Sequence, residues 1–483
     1  MPPPKERENI KVRAEKAVLA AVRLPGSNYD PRDPFGELRE LATQAGATIV
    51  GEVEQHRNAP VAGTFMGRGK LEELKGLCAV TDAATIIFDH ELSPKQIAAI
   101  EKSTERKVID RSELILDIFA SRATTHEAKL QVEIAQLEYT FPRLRAMWDH
   151  LERITGGSPG GVGTRGPGEQ QLEIDRRLVQ RRKKLLTRQL EDIQARKRRT
   201  VQDRTAEHFT AGLVGYTNAG KSTLFNTLTA GGAYADDRVF ATLMTRTREW
   251  DLGGGQACML SDTVGFVRDL PHHLVASFRA TLEEATHADV LLILLDVSDP
   301  SAELHYETVS HVLDELVEEV RDLERKAAKE GDGDADALYQ PPERILLLNK
   351  ADRLLDNREL LVWQSRVPDS IPICSLAPEA SEDASPAEPR LGQAELARRV
   401  REIAAGPARE VELTVPMRTS RAVQAIEHRG EVHERAYEGD LVRYRVTIGS
   451  RILARLAAAE PSIKILGEPV HQRRAWAPAP EED

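Results

Sequence analysis

The chain has 483 residues, too many for one hydrophobic core, and its 41% hydrophobic and 30% charged residues describe a globular protein of two to four domains. A net charge of -11 excludes a generic polyanion binder, so any nucleic-acid contact needs a local basic surface. Cys78, Cys258 and Cys374 are far apart and form no CxxC pair, which argues against a zinc site or a disulfide framework and for a reducing compartment. The N-terminus, Met1 to Arg7, lacks the apolar stretch of a signal peptide, and the longest strongly apolar run, Val290 to Leu295, is too short to span a bilayer. A cytoplasmic monomer is expected.

In chain order, residues up to about Pro34 form a polar lead-in with one strand, Lys16 to Val22. From Phe35 to about Ala123 helical and strand periods alternate. Glu37 to Ala45, Leu71 to Ala79 and Pro94 to Ser103 read as helices. Thr48 to Val53, Thr85 to Phe88 and the Val108-Ile109 pair read as strands. The spacing predicts a small α/β domain over 1–124. Leu130, Ile134, Leu137, Phe141, Leu144, Trp148 and Leu151 then form a heptad seam, in which Pro142 is expected to kink or divide the helix. A glycine-dense stretch, Gly156 to Gly168, cannot be helical. Leu172, Val179, Leu186 and Ile193 resume the seven-residue repeat, with Leu178, Leu185 and Leu190 beside them. The expectation for 125–207 is an antiparallel helical hairpin with a flexible glycine tip.

Residues 208–405 alternate strand and helix in a doubly wound pattern. Polar segments at Lys329 to Pro342 and Ala377 to Arg390 read as surface insertions or disordered linkers. The last part, 406–483, reads as a small α+β module with strands at Val411 to Val415, Glu431 to Ala436 and Leu441 to Ile448, followed by a disordered tail.

The third region carries the chemistry. The buried strand Ala211 to Val214 runs into Gly215-Tyr216-Thr217-Asn218-Ala219-Gly220-Lys221-Ser222, a GxxxxGKS loop, and a helix follows from Thr223. Glycine lets backbone N–H groups turn inward around phosphates, and the helix N-terminus adds partial positive charge. Lys221 reaches the β and γ phosphates, and the Ser222 hydroxyl binds Mg²⁺. After the strand Ala257 to Leu260 comes Asp262-Thr263-Val264-Gly265. Its carboxylate would hold Mg²⁺ through water, and the Gly265 N–H would sense the γ-phosphate. The strand Ile345 to Leu348 ends in Asn349-Lys350-Ala351-Asp352. A buried Asp352 would accept from both N1–H and the 2-amino group of guanine, and adenine offers neither donor, so the motif selects GTP over ATP. Ser375 and Leu376 sit where a loop would lie against the base.

Phe240-Ala241-Thr242-Leu243-Met244 holds the switch threonine, Thr242, with Thr245 and Thr247 as competitors. Phe266 follows the DxxG glycine and cannot orient an attacking water, so unaided hydrolysis is expected to be slow and to await an activator. Asn218 reads equally as a plain loop-stabilising residue or as one that helps hold K⁺ near the phosphates, as in the potassium-stimulated GTPases this loop resembles.

The combination of the P-loop with Thr223-Leu224-Phe225-Asn226, the Phe240 to Leu243 switch and Asp262 to Phe266 resembles the HflX family of GTPases. Gly67-Arg68-Gly69-Lys70 and Gly163-Thr164-Arg165-Gly166-Pro167-Gly168-Glu169 extend the resemblance to roughly residues 35–450. Met244 and Thr245 depart from the Asp-Pro that commonly follows the switch leucine. The resemblance implies a GTPase that acts on the large ribosomal subunit, on stalled or idle ribosomes, including their splitting. It also links ATP with the N-terminal domain, where GxGK before a helix is a weak phosphate-cradle candidate. Between Glu169 and Glu207 twelve basic and seven acidic residues give a local net of +5, suited to rRNA phosphates and equally to a solvated helix face. An ATP-driven RNA remodeller and a GTP-binding ribosome-assembly scaffold stay open as alternatives.

Overall fold

The first strand, β1 (Lys16–Arg23), belongs to the segment whose sequence reads as a lead-in, yet it lies inside a sheet, with Ala17 to Val22 fully buried. Six consecutive apolar residues suit a strand covered on both faces. The computed structural model describes residues 15–27, 29–155, 177–194, 196, 208–229, 246–254, 256–268, 285–329, 341–354, 356–375 and 391–465, without the side chains of 142–155, 323–324, 326–329, 421 and 458–459.

The N-terminal sheet contains β1, β2 (Thr48–His56), β3 (Thr85–Phe88) and β4 (Lys107–Asp110), all parallel, in the order β2-β1-β3-β4. Its crossovers are α1 (Gly36–Gln44), α2 (Arg68–Thr81) and α3 (Pro94–Thr104), and α4 (Arg111–Arg122) follows β4 directly. The start of α3 is written in the sequence: Ser93 caps it, Gln96 returns the bond to the Ser93 N–H, and Pro94 fills the first turn. Asp110 caps α4 through the Glu113 N–H.

Next, α5 (His126–Thr155) runs unbroken through Pro142, so the expected division of this helix does not occur. Proline removes one backbone bond, and the remaining bonds of a 30-residue helix carry the chain past it. A second long helix, α6 (177–194), packs on α5 through Leu130, Ile134, Leu186 and Leu190, with Leu137 and Ile193 at the margin. Leu178 and Leu185 face solvent, so only one register of the repeat is the seam. The glycine stretch 156–168 and Leu172 lie outside the described residues, as do 330–340 and 376–390.

The central sheet has the order β10-β9-β8-β5-β7-β6. Its strands are β5 (Thr210–Gly215), β6 (Arg246–Gly253), β7 (Gln256–Asp262), β8 (Val290–Asp296), β9 (Glu343–Asn349) and β10 (Ile371–Ile373). All are parallel to their neighbours except β6, which pairs antiparallel with β7. Helices α7 (Lys221–Leu228), α8 (Ala302–Lys329), α9 (Arg358–Arg366) and α10 (Gln393–Ala405) complete this layer. Two apolar clusters cover its two faces, one around Leu213, Phe225 and Leu292 and the other around Val214, Phe266 and Leu313. The carboxyl ends of β5, β7, β8 and β9 open on one edge, where ligands bind in open α/β sheets.

The last unit is an antiparallel sheet of order β12-β13-β11-β14. It is built from β11 (Ala408–Pro416), β12 (Glu431–Glu438), β13 (Leu441–Gly449) and β14 (Lys464–Ile465), with α11 (Ser420–Arg429) and α12 (Ser450–Ala459) packed on one face.

Candidate functional site

The loop from Gly215 to Gly220 joins β5 to α7, and three of its residues have positive φ: Gly215 at 155°, Asn218 at 61° and Gly220 at 96°. A Cβ at Gly220 would run into the Asn349 side chain, so the glycine there is required by packing as well as by torsion. Lys221 is buried and donates to the Gly215 carbonyl at 3.0 Å and the Tyr216 carbonyl at 2.6 Å. Burial lowers its pKa to about 8, with the Asp262 charge opposing. A phosphate anion against this ammonium would restore the stabilisation that burial takes from it.

Ser222, in the first turn of α7, donates to the Asp262 carboxylate at 2.8 Å. A hydroxyl and a carboxylate in contact, both oxygen donors at the end of β7, are a donor set suited to Mg²⁺. Thr263 is anchored to the Leu213 carbonyl at 2.6 Å, and Gly265 sits so close to the P-loop that a Cβ would meet Thr217 Cγ2 at 2.8 Å and Lys221 Nζ at 3.1 Å. The structure therefore brings the GxxxxGKS and DxxG segments into direct contact. Phe266 seals that contact, accepting from the Thr217 N–H at 2.8 Å and donating its own N–H to Gly215 at 3.1 Å. Its ring is buried in the core of the central sheet, so the position after the DxxG glycine presents no polar group.

Asn349 ties three segments together. Its amide donates to the Ala219 carbonyl at 2.6 Å, and its oxygen accepts from the Ser375 N–H at 3.1 Å and the Ser375 hydroxyl at 2.8 Å. Ser375 is thus part of the cluster, whereas Leu376 lies outside the described residues. Lys350, at φ 58°, is paired with Asp296 at 2.5 Å, a residue at the end of β8 that no sequence motif singles out. Ala351 is buried beneath the turn, but Asp352 is exposed on it. This corrects the expectation of a buried Asp352: a short 3-10 turn carries the side chain to the rim. Phe240, Ala241, Thr242, Leu243, Met244 and Thr245 lie outside the described residues. Thr247 is an ordinary strand residue of β6 whose hydroxyl contacts Ser261 at 3.1 Å.

The N-terminal sheet also reaches this site, which no local motif indicates. Asp89, just past β3, is fully buried and accepts from Arg23 at 2.8 Å, Arg111 at 2.9 Å and Arg268 at 3.0 Å. Burial alone would raise the Asp89 pKa; the charges of Arg111, Arg268 and Arg23 outweigh it and hold the carboxyl below its usual range. Arg268 lies two residues after Phe266, and its carbonyl accepts from Arg111 at 2.9 Å. Its N–H donates to the Tyr216 hydroxyl at 2.7 Å, and that hydroxyl donates to Glu37 of α1 at 2.7 Å. Val264 and Val267 are buried in the apolar cluster of the N-terminal domain with Leu38, Ile115 and Tyr139. The stretch after Asp262 is therefore gripped by both domains. His305 of α8 stacks on the Tyr216 ring with centroids 3.8 Å apart.

By contrast, the Gly67 to Lys70 segment is already partnered: the Gly67 N–H donates to Gln55 at 2.8 Å and Lys70 pairs with Glu73 at 2.8 Å. Among the described residues no helix is long and apolar enough to cross a membrane.

A doubly wound sheet whose strand ends gather a GxxxxGKS loop, a DxxG segment and an NKxD turn defines the class of P-loop GTPases, which bind GTP and hydrolyse it to GDP and phosphate. Three family models match in succession: "GTP-binding GTPase N-terminal" over 32–120, "GTP-binding GTPase Middle Region" over 122–204 and "50S ribosome-binding GTPase" over 210–332. The GTPase HflX of Lacrimispora saccharolytica is 46% identical over 308 residues, covering 64% of this chain and 72% of the relative. That of Escherichia coli K12 is 46% identical over 303 residues, covering 62% and 70%. Among solved structures, a GDP-bound GTP-binding protein from Sulfolobus solfataricus aligns over 80% of this chain and 98% of its own, at 22% identity and a TM-score of 0.39. The chain belongs to the HflX family of GTPases.

Proposed function

We propose that this GTPase acts on the large ribosomal subunit and its rRNA, and that it splits or rescues stalled or idle ribosomes. The observation that carries the reading is the outer face of α6. Arg182 pairs with Glu133 and Lys183 with Glu138, both on α5. Arg181, Lys184 and Arg188 are exposed and make no ion pair among the described residues. Cations held on a rigid helix and left to solvent suit a row of backbone phosphates. The family model over 210–332, whose description names 50S ribosome binding, supports the same partner.

In this reading Gly215 to Ser222 cradle the phosphates, and Lys221 neutralises charge on them. Gly265 offers its N–H to the γ-phosphate, and Thr242 closes over it. Ser222 and Thr242 would hold Mg²⁺, with Asp262 behind them; the ion supplies charge neutralisation on the phosphate oxygens. Asn349, Lys350, Ala351 and Asp352 take the guanine, which covers the exposed Asp352 carboxylate, and Ser375 and Leu376 lie against the base. Phe266 offers nothing to the attacking water, so turnover depends on order supplied by the ribosome.

The test measures GTP turnover with and without large subunits, and subunit binding across a salt series. Large subunits are expected to accelerate turnover. The triple charge reversal Arg181→Glu, Lys184→Glu, Arg188→Glu should weaken binding and flatten its salt dependence by about 0.7–0.9 in log-log slope for each phosphate that is no longer neutralised. Turnover that no ribosomal particle stimulates would sink the proposal.

A further inference from the structure

α1 of the N-terminal domain presents two carboxylates, one turn apart, to two side chains of the P-loop. Glu37 accepts from the Tyr216 hydroxyl at 2.7 Å. Glu40 accepts from the Asn218 side-chain nitrogen, with Gln44 a second, more distant donor at 3.5 Å. Positions i and i+3 of the helix thus meet positions i and i+2 of the loop. A carboxylate without a proton only accepts, so it selects the nitrogen of the Asn218 amide and leaves the oxygen as the end available to a cation.

We propose that Glu40 is a positioning residue of the GTPase site: it fixes the orientation of the Asn218 amide, so that the N-terminal domain sets how the P-loop responds to a monovalent cation. This rests on the reading of Asn218 as a K⁺-holding residue beside the phosphates. Asn218 also occupies the left-handed region, which asparagine tolerates better than most residues, and that alone could account for its presence. The two roles are separable, because glycine keeps the backbone torsion and removes the amide.

The experiment follows release of a fluorescent GDP analogue from the full-length protein, in K⁺ and in Na⁺, with kcat and KM for GTP in each. The variants are Glu40→Ala, Glu40→Gln, Asn218→Gly and the double Glu40→Ala/Asn218→Gly. Glu40 is exposed, so its substitutions should leave the melting temperature in place. Glu40→Ala is expected to change the release rate threefold or more and to bring the K⁺ and Na⁺ rates together. Glu40→Gln, whose amide accepts through one end only, should retain part of the difference. In the double variant the removal of Glu40 should add nothing to Asn218→Gly. A Glu40→Ala effect that persists in full on the Asn218→Gly background overturns the proposal, as does a K⁺/Na⁺ difference that Glu40→Ala leaves unchanged. Equal rates in K⁺ and Na⁺ for the wild type overturn the cation part alone, and the double-variant comparison still decides whether Glu40 acts through Asn218.

Discussion

The nucleotide loops and the charged knot around Asp89 lie a few residues apart along Asp262 to Arg268, and they are built on opposite principles. In the P-loop the two residues that carry the chemistry are placed by their immediate neighbours: Lys221 by the turn of Gly215 and Tyr216, and Ser222 by the start of α7. In the knot, Arg23, Arg111 and Arg268 come from positions 66, 22 and 179 residues away from Asp89. The loops are a local code that many folds can carry. The knot is complete only when Arg268 of the central domain joins Arg23, Asp89 and Arg111 of the N-terminal one. Motif position says what a residue can touch, whereas burial says what its removal will cost.

The largest effect expected is in the knot. Asp89→Ala leaves three arginines buried around an empty acceptor, and breaking a buried pair in this way costs about 3–5 kcal/mol. Arg39 pairs with Asp33 and Glu52 at an exposed site, so Arg39→Ala should cost about 0–1 kcal/mol. Denaturant midpoints of the two variants check both. If Asp89→Ala melts like Arg39→Ala, the knot is no structural link between the domains.

Next comes Lys221→Ala, which sharpens the contrast from the other side. The variant should fold, because its bonds are to two carbonyls in a short loop, and it should lose about 10²–10³ in kcat for GTP, the scale for removing one preorganised donor. Turnover together with the melting temperature separates the two kinds of site. The knot variant is expected to lose stability and the loop variant activity.

The same contrast marks how much is legible in the sequence. Gly215 to Ser222, Asp262 to Gly265 and Asn349 to Asp352 are contiguous, and each follows a short apolar run, so both their strands and their chemistry can be read directly. Ser375 is harder to place because its link to Asn349 crosses 26 residues. Asp89 and Arg111 look like residues at the ends of a strand and a helix, and Arg268 falls outside the DxxG motif. Nothing local marks them as partners. The central place of β1 is hidden for a similar reason: it depends on β2 and β3 arriving later in the chain. Pro142 does not divide α5 because a single missing bond weighs little in a helix of this length.

The smallest effect is a pH dependence, and it arises where the two regions meet. Burial lowers the pKa of His305 below the ordinary 6.5, against the opposing charges of Asp299, Glu37 and Asp296. As pH falls below 6.5 the unfolded chain takes up a proton that the folded one refuses. The His305 contribution is therefore complete above about 6.5 and erodes as pH falls through the folded value, by at most about 1.4 kcal/mol per pH unit. His305→Phe keeps a flat ring for the Tyr216 stack and removes the titration. The drop in melting temperature from pH 7.5 to 5.5 should be smaller in this variant than in the wild type. Equal drops would mean that protonation of His305 costs the fold nothing.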